Sequence, residues 1–162
     1  MRWPLRPRRI GFVGLGHMGG NMAARFLDAG YTVYGESRDR RHADELVHEG
    51  LQWRDTPRDV AETADVLITS VPDDEVLESV ASGPDGILAG LTDGKVWVDM
   101  SSVSPRASRE LAKRVQAQGA AMLDAPVSGS VPQCPRRAGL RRPLPRRGRR
   151  RVLSPRRWRS RA

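Results

Sequence analysis

Cysteine is nearly absent: Cys134 stands alone in 162 residues. It can close no intrachain disulfide, so a reducing cytoplasm is the expected compartment. Aromatic residues make up only 5% against 38% hydrophobic, enough for a modest core, and a length of 162 residues fits one domain and hardly two. No apolar run is long enough to span a bilayer, so no membrane association is expected. The basic opening MRWPLRPRR leads into a glycine-broken strand and not into an apolar core, so it does not read as a signal peptide. Lysine occurs twice, as Lys95 and Lys113. The three histidines, His17, His42 and His48, read as surface residues, and no metal site is expected.

Acidic residues are missing from one whole region. All 19 lie within residues 1–133, beside 15 basic ones, a net of −4. Residues 134–162 carry 13 arginines, no lysine and no acid, a net of +13. The overall charge of +9 therefore belongs to the tail, and a nucleic-acid argument from charge cannot be applied to the rest. The tail, CPRRAGLRRPLPRRGRRRVLSPRRWRSRA, has neither strand nor helix period. It reads as low-complexity and disordered. The abrupt change of grammar after Gln133 reads as a shifted frame. The expected division is a basic lead over 1–9, a folded domain over 10–133 and the tail over 134–162.

What is present is organised around residues 10–20, IGFVGLGHMGG. The apolar run 10–13 reads as a buried strand. It opens into Gly14-Leu15-Gly16-His17-Met18-Gly19, and a helical pattern of Met18, Met22, Phe26 and Leu27 follows, closed by Gly30. Strand, G-x-G-x-x-G turn and helix form the setting of a dinucleotide fingerprint. Gly14 is expected to make the tight turn, Gly16 to admit a pyrophosphate, and Gly19 to let the helix pack on the strand. The helix start offers free N–H groups and a positive dipole end to phosphate.

Further strands are expected over 31–36, 51–54, 65–71, 96–100 and 121–124. Helices are expected over 39–49, from Thr56-Pro57, from Asp73 and from Ser104-Pro105, with loop signals at 83–86 and at Gly90. Alternation at these lengths implies an α/β fold, a Rossmann-type doubly wound parallel sheet, with ligands beyond the carboxyl ends of the strands. The residue that meets the nucleotide's 2′ group should lie about 20 positions past the glycines. Ser37-Arg38 stands there, with Glu36 just before and Arg40 and Arg41 after. A hydroxyl followed by a guanidinium suits the 2′-phosphate of NADP. Glu36 could instead accept from the 2′-hydroxyl of NAD, so NAD stays an alternative.

GFVGLGHMGGNMA, VPDDEV, VDMSSVSP and DAPVSGS occur in this order. Together they resemble the β-hydroxyacid dehydrogenase family, which includes 3-hydroxyisobutyrate, tartronate semialdehyde and 6-phosphogluconate dehydrogenases. The resemblance implies an oxidoreductase that moves a hydride between NADP and a small 3-hydroxy acid. It implies cofactor contacts at Gly14, Leu15, Gly16, His17, Met18, Gly19, Ser37, Arg38, Val71, Pro72, Asp73 and Ser102. It implies that Ser102, Ser128 and Gly129 meet a small carboxylate substrate. Ser130 stands where the family has a second glycine. The family also implies a homo-oligomer, an all-helical C-terminal domain and a catalytic lysine in G-x-x-G-x-G-x-x-x-K-x-x-x-N. Neither lysine of this sequence fits that motif, so no catalytic residue is assigned and turnover by this chain alone is not expected. The competing expectations are a cofactor-binding protein without catalysis and non-specific nucleic-acid binding through the arginine tail.

Overall fold

In a computed structural model of the chain, the described residues are 9–128, without the side chain of His42. The lead ahead of Arg9, Gly129 and the segment 134–162 read as disordered lie outside them. Six strands form one parallel sheet: β1 (Arg9–Val13), β2 (Thr32–Glu36), β3 (Gln52–Trp53), β4 (Val66–Thr69), β5 (Val96–Asp99) and β6 (Ala121–Asp124), ordered β3-β2-β1-β4-β5-β6. The chain winds outward from β1 to β3, returns to β4 beside β1, and winds outward again to β6. The sheet therefore reverses direction between β1 and β4, where a doubly wound sheet opens its binding crevice.

Two apolar layers cover the sheet, as the near-continuous apolar strands require. Ile10 and Phe12 face one layer with Ala23, Ala24, Val33, Leu46 and Ile68. Val13 faces the other with Val60, Leu67, Leu77, Trp97, Leu111 and Val115. The first layer is supplied by α1 (His17–Asp28) and α2 (Asp44–His48); the second by α3 (Pro57–Thr63), α4 (Asp74–Ala81), α5 (Ile87–Gly90) and α6 (Pro105–Ala117). Gly11 explains how α3 comes so close to β1. A Cβ there would stand 2.6 Å from Val60 Cγ1 and 2.8 Å from Ala64 Cβ.

Helix starts follow local chemistry. Thr56 caps α3 with Pro57 at its first turn, Asp73 caps α4, and Ser104 caps α6 ahead of Pro105. Two expectations are corrected. The single helix over 39–49 is broken into a 3-10 turn, Arg40–His42, and the short α2. Asp39 caps the 3-10 turn, accepting from the Arg41 backbone N–H at 3.1 Å, and Ala43, at φ −98° and ψ −14°, separates that turn from α2. Gly90, read as a loop, ends α5; it packs so tightly on α3 that a Cβ would stand 2.4 Å from the Arg58 carbonyl oxygen. The periodicity in α1 also needs revision. Its buried positions are Gly19, Gly20, Ala23 and Ala24, while Met22, Phe26 and Leu27 are partly buried around them. Small residues bring helix and sheet together, and the large ones seal the flanks.

Candidate nucleotide-binding site

The glycine turn sits at the reversal between β1 and β4. Gly14 leaves β1 with φ of +91°, and a Cβ there would stand 2.4 Å from the Ser70 carbonyl oxygen. Its N–H donates to the Glu36 carbonyl at 3.0 Å, which ties the turn to the end of β2. Gly19 closes the turn from the other side: a Cβ would stand 2.0 Å from the Gly14 carbonyl oxygen. The close approach is between the helix and the turn itself rather than the strand. Gly16 differs. A Cβ there would have nothing within 4 Å, so the space before it is open.

Gly16 is also the N-cap of α1, and no side chain caps that end. The first turn of α1 carries no acid. Each of the other long sheet-covering helices, α4 and α6, has a side-chain cap. The amino end of this 12-residue helix thus keeps N–H groups and a positive dipole end directed at open space. That arrangement suits a pyrophosphate. His17 is exposed and Met18 half-buried. Leu15 is 1% exposed, so its side chain belongs to the core and only its backbone can face a ligand.

At the end of β2 the three arginines are sorted by their partners. Arg41 is held by Asp39, its Nη2 donating to Oδ2 at 2.8 Å. The Arg40 guanidinium lies over the Trp53 ring, 5.2 Å from its centroid. Arg38 is exposed, and no ion pair among the described residues uses it. Ser37 is half-buried beside it. Burial pushes the Glu36 carboxyl up to about 7, so the acid next to this arginine resists charging.

Beyond β4 and β5 two loops meet. Val71 is half-buried, while Pro72, Asp73 and Ser102 are exposed. Asp73 spends a carboxylate oxygen on capping α4, accepting from the Val76 N–H at 2.9 Å. Beneath these loops lies a polar network that sequence reading took for plain apolar strand. Trp97 Nε1 donates to Thr69 Oγ1 at 2.9 Å, and Thr69 Oγ1 donates to Asp99 Oδ1 at 2.7 Å. The Ser101 N–H donates to the same oxygen at 3.1 Å. Thr69 and Asp99 are register partners at the carboxyl ends of neighbouring strands, a pairing that only the sheet reveals. Ser128 is exposed at the last described position, so the 128–129 pair is seen at one residue only.

Neither lysine approaches the crevice. Lys95 precedes β5, at the opposite end of the sheet. Its Nζ donates to the carbonyls of Ala61, Glu62 and Ala64 at the end of α3. Lys113 pairs with Glu110 at 3.0 Å on the exposed side of α6. No helix among the described residues is long and apolar enough to cross a membrane.

The family model for the NAD binding domain of 6-phosphogluconate dehydrogenase matches residues 9–137. The 2-(hydroxymethyl)glutarate dehydrogenase of Eubacterium barkeri is 40% identical over 123 residues, which cover 76% of this chain and 41% of that protein. A structure of Mycobacterium tuberculosis 3-hydroxyisobutyrate dehydrogenase with L-serine superposes with a TM-score of 0.72 at 31% identity, covering 78% of this chain and 43% of the other. A structure of Psf3 in complex with NADP+ and 2-OPP gives 0.73 at 31% identity, covering 76% and 44%. The chain spans less than half the length of the first curated relatives it matches.

Proposed function

Because the chain belongs to the family of 6-phosphogluconate and 3-hydroxyisobutyrate dehydrogenases, through their NAD-binding domain, we propose that it is the NADP-binding portion of a cytoplasmic oxidoreductase acting on a small 3-hydroxy acid. The observation that carries this reading is the uncapped amino end of α1, open before Gly16, with the unengaged Arg38 at the end of β2. The pyrophosphate would rest on the N–H groups of the 16–19 turn. Arg38 and Ser37 would take the 2′-phosphate, which a planar guanidinium can hold bidentately. Glu36, whose carboxyl burial pushes up to about 7, carries less negative charge near neutral pH than an ordinary carboxylate and repels that group less. A structure with NADP+ among the similar proteins supports the same choice.

When bound, the cofactor supplies the hydride chemistry. The chain's own residues would orient: Val71, Pro72, Asp73 and Ser102 would lie along the nicotinamide side, and Ser128 with Gly129 would receive the substrate carboxylate. None of them takes the hydroxyl proton that hydride transfer releases. Lys95 and Lys113 are committed elsewhere. In the whole enzyme that group would be the family's lysine of the G-x-x-G-x-G-x-x-x-K-x-x-x-N motif. The test is a titration of the purified chain with NADPH and with NADH, followed by cofactor fluorescence. Tighter binding of NADPH is expected; equal or reversed affinities would remove the 2′-phosphate role from Arg38.

A further inference from the structure

Ser101 and Asp74 lie at opposite ends of the paired loops beyond β4 and β5. The Val71 N–H donates to Ser101 Oγ at 3.0 Å. At the rim, the Ser104 N–H donates to Asp74 Oδ1 at 2.8 Å and its hydroxyl to Oδ2 at 2.5 Å. The 71–74 loop and the 101–104 loop are thus joined at both ends, with the exposed Pro72, Asp73 and Ser102 between the joins. The inner join is anchored on a buried carboxylate. Asp99 is 0% exposed, and its Oδ1 gathers the Thr69 hydroxyl and the Ser101 N–H.

The anchor is costly. Asp99 Oδ2 is buried and has no hydrogen-bond partner among the described residues. Burying a carboxyl oxygen without a protein partner costs free energy. The value of Asp99 to the molecule lies in fixing Ser101, whose N–H it holds and whose hydroxyl reaches across to the neighbouring loop. The sheet order places these loops over β4 and β5, on the far side of β1 from β2 and Arg38. They can act on one half of an extended dinucleotide and not on the other.

We infer that Ser101 and Asp74 are positioning residues that clasp the 71–74 and 101–104 loops into one rigid edge, against which the nicotinamide half of the cofactor is held while the adenine half binds independently of it. This rests on the cofactor reading above. Neither residue needs to touch the cofactor. The clasp prepays the ordering of two loops, and prepaid order is what positioning supplies.

The experiment titrates the full chain, Ser101→Ala, Asp74→Ala and the double variant with NADPH and with adenosine 2′,5′-bisphosphate, which lacks the nicotinamide half. Thermal melting of each variant is recorded alongside. Ser101→Ala removes the hydroxyl and keeps the N–H on Asp99. The double variant is expected to bind NADPH about tenfold more weakly, the value of one hydrogen bond, with the bisphosphate unchanged within about twofold. Equal weakening of both ligands would show a merely structural role and overturn the clasp, as would no weakening of either. A parent chain that binds the bisphosphate but gains nothing from the nicotinamide half would also overturn it. A parent chain that binds neither would instead fail the cofactor reading, and the clasp with it.

Discussion

Two glycines of one turn should respond to the same substitution in opposite ways. At Gly16 the backbone lies at φ −66° and ψ −166°, open to any residue, and a Cβ would touch nothing within 4 Å. Alanine there restricts the unfolded chain, which stabilises by about 0.4–1 kcal/mol. It is a poorer N-cap than glycine, which costs a similar amount. Gly16→Ala should therefore leave folding stability within about 0.5 kcal/mol of the parent. The methyl group would occupy the space before the α1 N–H groups. Losing one charge-assisted hydrogen bond to a pyrophosphate costs about 1.5–3 kcal/mol, so NADPH should bind at least about tenfold more weakly. Gly19→Ala is the reverse case. Its Cβ would stand 2.0 Å from the Gly14 carbonyl oxygen, and that neighbour is backbone with no rotamer to retreat into. Overpacking costs about 3 kcal/mol at its upper range, and the better helix propensity of alanine returns about 1 kcal/mol. A net loss of about 2 kcal/mol should appear in urea denaturation. The two variants are compared by denaturation and by NADPH titration. Gly16→Ala binding like the parent, or Gly19→Ala unfolding like the parent, would refute the division of labour.

Arg38→Asp should weaken NADPH by about 1–3 kcal/mol and leave NADH nearly unaffected; parallel loss for both cofactors, measured by the same titration, would assign Arg38 to the fold. Glu36 sets a pH dependence with a definite sign. Its folded value of about 7 lies above the ordinary 4.5, so the folded state binds the extra proton. Its contribution, about 3 kcal/mol at the limit, is complete below about 4.5 and is lost as pH rises through about 7. Denaturation midpoints from pH 5 to 8 should fall more steeply in the parent than in Glu36→Gln, and parallel curves would contradict the burial of that carboxyl. Incubated with NADP and a panel of short 3-hydroxy acids, the purified chain should form no reduced cofactor. An ordinary rate of about 1–10³ per second would show that a proton acceptor other than Lys95 or Lys113 is at work.

Much of the sheet was legible because its strands are apolar runs cut by glycine and proline. The Gly14 turn, the Thr56-Pro57 and Ser104-Pro105 helix starts and the succession of six strands along the chain follow from local chemistry. What escaped depends on register or on competition. Thr69 and Asp99 sit 30 residues apart, and nothing in the sequence says they face each other. Asp39 reads as a helix start and does cap one, binding both the Arg41 backbone and its guanidinium, but nothing in the sequence marks Ala43 as the place where that 3-10 turn gives way to α2. Gly90 looked like a loop because glycine usually marks one, whereas here it admits the backbone of α3. At the site, the sequence could place three arginines near the 2′ position. Only their partners distinguish Arg38 from Arg40, which lies over Trp53, and Arg41, which Asp39 holds.

The most direct test of the central claim is an electron-density map of the chain crystallised with NADP+. The account predicts a pyrophosphate on the N–H groups between Gly16 and Gly19 and a 2′-phosphate on the Arg38 guanidinium. Density for the dinucleotide elsewhere, or a 2′-phosphate left in solvent with Arg38 turned away, would contradict it.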